Sequence, residues 1–220
     1  MVILGPSGCG KSVLLKHIIG ILLPDRGDVI VGGYHIPTLS KKALREVRKN
    51  IGVLFQSAGL LDSMSVWENV ALGLRMHTKL SDEAIHTKVE ECLARVGLPA
   101  VGSLNPEELS GGMKKRVGLA RAIAMDPQYI LYDEPTTGLD PKMAHVIGDL
   151  IGQLQQDLSV TSVVVTHDID LALKVADHIA LLWQGSIEVQ GEPDEIEQSQ
   201  NALLRRFIAG ELEAEPAFGG

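Results

Sequence analysis

The chain has 220 residues, 45% of them hydrophobic, and a formal charge of −8. Such a chain can bury roughly 70% of its unfolded surface, near the upper end of a single domain, and its acidic balance argues against a nucleic-acid binder, which selects clustered Lys and Arg. Its two cysteines, Cys9 and Cys92, show neither disulfide nor metal-site spacing, which fits a reducing cytoplasm, and no run of apolar residues is long enough to span a bilayer.

Val2-Ile3-Leu4 reads as a strand, and Val13 to Ile19 has the density and period of a buried helix. Between them Gly5-Pro6-Ser7-Gly8-Cys9-Gly10-Lys11-Ser12 fits G-x-x-x-x-G-K-[ST] at every constrained position. The glycines let several backbone N–H groups converge on a phosphate. Lys11 brings a cation to the β- and γ-phosphates, Ser12 offers a hydroxyl to Mg²⁺, and the helix start adds its positive end, so a nucleoside triphosphate is the expected ligand.

Asp28 to Val31 reads as a strand, Ser40 to Asn50 as an exposed helix, and Ile51 to Phe55 as a buried strand delivering Gln56 at its carboxyl end. From Val66 to Val96 the pattern turns helical, as in an inserted helical subdomain; His77 and His86 there have no third ligand spaced with them. Leu109-Ser110-Gly111-Gly112-Met113 opens a further helix, either as an ordinary N-cap or as a second anion-binding helix end. The cluster Lys114-Lys115-Arg116 reads as a solvated helix face.

Tyr129 to Tyr132 is a strand ending in Asp133 and Glu134, the first suited to Mg²⁺ and the second to a water molecule. Asp140-Pro141 starts a helix whose buried face is Met143, Val146, Ile147, Leu150, Ile151 and Leu154. Thr161 to Thr166 is a buried strand delivering His167 and Asp168; an imidazole there could reach a γ-phosphate or be structural. A short helix, strands over Ile179 to Trp183 and Ile187 to Gln190, and a helix through Phe207 complete residues 1–210, leaving 211–220 as an expected loose tail.

In this order the residues resemble the nucleotide-binding subunits of ABC transporters over nearly the whole chain: Walker A at Gly5 to Ser12, a Q-loop at Gln56, the signature at Leu109 to Met113, Walker B ending in Asp133-Glu134, a D-loop at Gly138-Leu139-Asp140, and a switch histidine at His167. Leu54-Phe55-Gln56-Ser57-Ala58-Gly59-Leu60, Met113 and Thr136 to Pro141 look like the Mce/Mla branch, which moves phospholipids or other hydrophobic molecules. The resemblance implies an α/β P-loop NTPase fold with a mostly parallel, RecA-like sheet core and an inserted α-helical signature subdomain over about residues 64–125. It also implies a head-to-tail homodimer whose ATP is held by Gly5, Pro6, Ser7, Gly8, Cys9, Gly10, Lys11 and Ser12 of one subunit and by Ser110, Gly111 and Gly112 of the other, with Asp140 as a further nucleotide-binding residue. Glu134 would be the general base, with Lys11, Gln56 and His167 in catalysis and Ser12, Gln56 and Asp133 around Mg²⁺. The implied partners are an integral membrane permease, met by the segment Ser57 to Glu68, and an Mce-domain lipid-binding protein, with the chain at the cytoplasmic face of the inner membrane.

Two departures from the family pattern stand out: Met113 replaces a common Gln, and the aromatic A-loop that stacks on adenine is missing before Gly5. The second gives the expectation of an N-terminally shortened form with weakened nucleotide affinity. It keeps in play a weakly active or inactive fragment, beside the soluble non-transport ABC ATPases, which carry long coiled-coil insertions or two cassettes per chain.

Overall fold

The computed structural model describes residues 1–212 and falls into two compact units, Met1–Ser40 joined by the chain from Val163 onward, and Lys41–Ser162. The tail expected to be loose thus lies, from residue 213, outside the described residues. The chain begins in the first unit with β1 (Val2–Leu4), α1 (Lys11–Ile18), β2 (Ile30–Val31) and β3 (Tyr34–His35). The second unit holds α2 (Lys41–Lys49), β4 (Ile51–Leu54), α3 (Val66–His77), α4 (Asp82–Arg95), α5 (Gly111–Ile123), β5 (Tyr129–Asp133) and α6 (Pro141–Leu158). Strand β6 (Thr161–Thr166) carries the chain back, followed by α7 (Ile169–Val175), β7 (Ile179–Trp183), β8 (Ser186–Gly191), α8 (Pro193–Gln198) and α9 (Ala202–Ile208).

In the first unit the strand order is β6-β1-β7-β8, with β1 parallel to both neighbours, Ile3 opposite Val165 and Ala180, and β8 antiparallel to β7. Val2, Ile3 and Leu4 are buried, as are Ile179, Ala180 and Leu181. Parallel strands covered on both faces read as continuous apolar runs, which is why these three-to-five-residue segments show no alternation. The carboxyl ends of β1 and β6 are tied where Gly5 N–H donates to the Thr166 carbonyl at 3.2 Å. The strand expected from Asp28 shrinks to Ile30–Val31 because the Asp28 carboxylate accepts from Val29 N–H and pairs with His35 Nδ1, turning the chain before pairing starts.

In the second unit β4 and β5 run parallel, Ile51 opposite Tyr129, and α5 lies on β4. The approach is close: a Cβ on Gly52 would stand 2.3 Å from the Ala122 carbonyl oxygen. Helices α3, α4 and α5 pack together, burying Val70, Leu74, Val89, Leu93, Val117 and Leu119. Ser65 and Glu68 form a reciprocal capping box on α3, and Ser81 caps α4. On α3, Trp67 lies under the Arg75 guanidinium, 4.8 Å from the ring centroid, and beside His86, with ring centroids 5.9 Å apart.

Three apolar expectations fail at the margins. Val13 of α1, Phe55 after β4 and Val146 of α6 are exposed. Phe55 leaves the strand because its carbonyl accepts from Ala58 N–H in a turn, and α6 buries only the narrower stripe Ile147, Leu150, Ile151 and Leu154.

Cys92 is 2% exposed, and burial pushes its thiol up to about 11. A raised thiol pKa favours the folded state below the ordinary thiol range and loses that contribution as pH climbs through it, so stability should fall from about pH 9 to about pH 11, and Cys92→Ala should lack that component of the fall. Gly52→Ala should lower the unfolding free energy by about 1–3 kcal/mol in a urea titration.

Candidate functional site

In the first unit the loop from Gly5 to Ser12 runs out of β1 into α1. Gly8 and Gly10 have φ of 80° and 105°, the left-handed region where a side chain strains the backbone, and a Cβ on Gly5 would meet the Leu182 carbonyl oxygen at 2.5 Å. Gly10 caps α1 without a side-chain bond, and the first turn of α1 contains no acidic residue, so this helix end keeps its positive partial charge. Lys11 is 5% exposed and folds back through the loop, its Nζ donating to the carbonyls of Gly5 at 2.8 Å and Pro6 at 2.9 Å. Cys9 is buried against Gly5 and fills space. His167 is exposed directly after β6, and the next residue is pinned from both sides: Asp168 N–H donates to Thr166 Oγ1, and Asp168 Oδ1 accepts from Leu171 N–H.

In the second unit Asp133 closes β5, and Glu134 follows with φ of 48° and 7% exposure. A non-glycine residue in that region costs about 1–2 kcal/mol. Three bonds hold it there. The Glu134 carbonyl accepts from Lys115 Nζ at 3.0 Å and from Thr137 N–H at 3.3 Å, and Glu134 Oε2 accepts from Thr137 Oγ1 at 3.1 Å. Lys115 also donates to the Gln56 carbonyl at 2.5 Å and is 4% exposed. Burial pulls the Lys115 ammonium below the usual lysine range, opposed by the charges of Glu134 and Asp133.

Gln56 and Asp133 meet at a cavity of about 470 Å³ that is also lined by Phe55, Ser57 and Thr137. Among the described residues no group of three or more His, Cys, Asp or Glu is placed to hold a metal ion. The side chains of Gln56 and Asp133, both lining this cavity, are of the ligand types Mg²⁺ takes, one or two protein oxygens with its shell completed by substrate phosphates and water.

The segment after Gln56 is splinted. Ala58 and Gly59 are both left-handed, with φ of 62° and 61°, and their carbonyls accept from the Arg121 guanidinium at 2.8 and 2.5 Å. Buried Asn69 accepts from Leu61 N–H and donates to the carbonyls of Leu61, Met64 and Ser65. Ser110 caps α5, its Oγ accepting from Met113 N–H at 3.3 Å, and Asp140 caps α6 in the same way through Met143 N–H at 3.0 Å. Both residues therefore act as helix N-caps. Gly112 is buried against Met143.

The basic cluster needs correction. Lys115 is no part of a solvated face: it lies one turn from Gly112 and Leu119, on the buried side of α5. That i−3, i+4 relation was available in the sequence. The bonds to distant carbonyls were not.

Residues 1–137 match the family described as ABC transporter. The chain is 43% identical over 216 residues to the intermembrane phospholipid transport system ATP-binding protein MlaF of Haemophilus influenzae, covering 98% of this chain and 82% of that protein. It is also 43% identical over 209 residues to the probable ribonucleotide transport ATP-binding protein mkl of Mycobacterium tuberculosis, covering 95% of this chain and 58% of that one. Among solved structures, the dimeric ATP-binding cassette MJ0796 in a post-hydrolysis state with ADP and Pi superposes with a TM-score of 0.80 at 35% identity, over 87% of this chain and 84% of that one.

The Lys11 bonds carry a prediction for the nucleotide-free protein. Lys11→Met leaves the Gly5 and Pro6 carbonyls without that donor and should lower stability by about 1–3 kcal/mol in chemical denaturation; an unchanged midpoint would show that the ammonium does not hold the empty loop.

Proposed function

The chain belongs to the ABC transporter family, and on that footing we propose that it is the ATP-binding and hydrolysing subunit of a transporter that moves phospholipid or a similar hydrophobic molecule. The observation that carries the hydrolytic reading is Glu134, a buried carboxylate next to Asp133 at the end of a strand, whose strained backbone is held by Lys115 and Thr137. A structural turn has no need of so constrained an acid.

Each side chain then has a task. Backbone N–H groups of the loop from Gly5 to Ser12 and the start of α1 bind the phosphates, and Lys11 turns its ammonium from the Gly5 and Pro6 carbonyls toward the γ-phosphate when that anion arrives. Glu134 accepts a proton from water as the water oxygen bonds to the γ-phosphorus and the bond to the bridging oxygen of ADP breaks. His167 donates to a γ-phosphate oxygen and keeps the water in line. Ser12, Gln56 and Asp133 would hold Mg²⁺, which supplies charge neutralisation at the β- and γ-oxygens.

MJ0796 is dimeric in its solved state with ADP and Pi, which supports a dimer in which Ser110, Gly111 and Gly112 of the partner subunit, with Asp140 nearby, close over the ATP held by Lys11 and Ser12. The γ-phosphate then joins two subunits by charge-assisted bonds that ADP cannot make, so hydrolysis favours reopening. No helix among the described residues is long and apolar enough to cross a membrane. In this reading the transport path belongs to a separate permease, contacted by the splinted segment from Ser57 to Glu68, with an Mce-domain lipid-binding protein as a further partner and the chain at the cytoplasmic face. The helical subdomain over about residues 64–125 presents the signature.

Glu134→Gln should bind ATP with unchanged affinity and hydrolyse it at least about 100-fold more slowly. Normal turnover by that variant rejects Glu134 as the base. ATP-dependent movement of a labelled phospholipid between vesicles and the assembled permease complex checks the substrate class, and transport of only water-soluble solutes would reject it.

A further inference from the structure

We propose that Lys115 is a positioning residue for hydrolysis, a single buried ammonium that fixes the backbone at Glu134 and at Gln56 together. The inference rests on the reading of Glu134 as the base. Its own basis is the junction of two segments that both leave strand ends in irregular conformation: one places the Gln56 carbonyl 2.5 Å from Lys115 Nζ, the other places the Glu134 carbonyl at 3.0 Å. Both oxygens lie beyond the strand ladders, and the Lys115 side chain is 4% exposed, so water is poorly placed to replace its ammonium.

The consequence for chemistry follows from Glu134's left-handed φ of 48°. Where a carboxylate points depends on its Cα–Cβ direction, and anchoring the carbonyl helps to fix that direction here. Thr137 provides one anchor from the same turn, through its N–H and its hydroxyl. Lys115 provides an anchor from another element, the interior of α5. Because Lys115 also grips Gln56, and Arg121 of the same helix grips Ala58 and Gly59, a displacement of the segment after Gln56 pulls on the helix that orients Glu134. Lys115 thus links the metal-side amide to the base through one atom.

Lys115→Met keeps the length and apolar stem of the side chain but donates to neither carbonyl. In steady-state ATPase assays on the full chain it should lower kcat by about 10- to 100-fold while KM for ATP and equilibrium binding of a non-hydrolysable ATP analogue stay within about twofold of the parent. Placed on Glu134→Gln, it should produce a clearly smaller loss than in the parent, since the part of its effect that acts through Glu134 is already removed. Parent-like kcat for Lys115→Met beside an inactive Glu134→Gln overturns the inference alone, whereas normal turnover by Glu134→Gln removes the reading beneath it. A raised KM at unchanged kcat, or losses that multiply in the double variant, also overturns it. If Lys115→Met fails to fold, Lys115→Gln, which keeps an amide donor, is measured in the same way; if neither folds, Lys115 is a structural residue and the inference fails.

Discussion

A backbone loop that binds an anion has to point its N–H groups at the ligand, and its carbonyls, turned the other way, must find donors elsewhere. Lys11 meets that demand by bonding the Gly5 and Pro6 carbonyls from inside the loop. The same solution recurs in the second unit, where Lys115 serves Gln56 and Glu134 and Arg121 serves Ala58 and Gly59. In each case a cation is taken out of water and bonded by backbone oxygens. Backbone that is neither helix nor strand is thereby held as firmly as either, which chemistry at strand ends requires.

Capping and ligand binding do not compete at Ser110. Its Oγ spends a lone pair on Met113 N–H, and capping leaves the hydroxyl proton to donate elsewhere. Asp140 likewise caps α6 through one oxygen and has a second. The helix ends can therefore be stable in the separate subunit and still present polar groups to a phosphate. One hydroxyl serves folding through its acceptor side and leaves its donor side available to a ligand.

Much of this was legible in the sequence because the signals are local. Thr161 to Thr166 and Ile179 to Trp183 are strands at the residues where their apolar runs place them, and the caps at Ser81 and Asp140 follow from their residue types. The phosphate loop was legible because its pattern is contiguous and Gly8 and Gly10 answer a local demand for positive φ, whereas Gly5 also answers to the distant Leu182 carbonyl. The buried role of Lys115 was overlooked since three consecutive cations look solvated unless each is placed on the helix separately. Phe55 and Val146 misled because periodicity predicts which residues could be covered, and burial also depends on how wide a neighbour covers them. The grip of Arg121 on Ala58 and Gly59 and the fan of bonds around Asn69 depend on tertiary placement of backbone oxygens, which no spacing rule encodes.

The arrangement around Trp67 gives the protein an optical handle of its own. The chain has two tryptophans, Trp67 in the second unit and Trp183 in the first. Trp67 sits on the first turn of α3, near the end of the segment from Ser57 to Glu68, with a guanidinium on its face and an imidazole at its side. Both neighbours are groups whose distance and charge alter indole emission. Motion of that segment is therefore written into the fluorescence of one residue, readable without a label, with the other tryptophan as an internal reference.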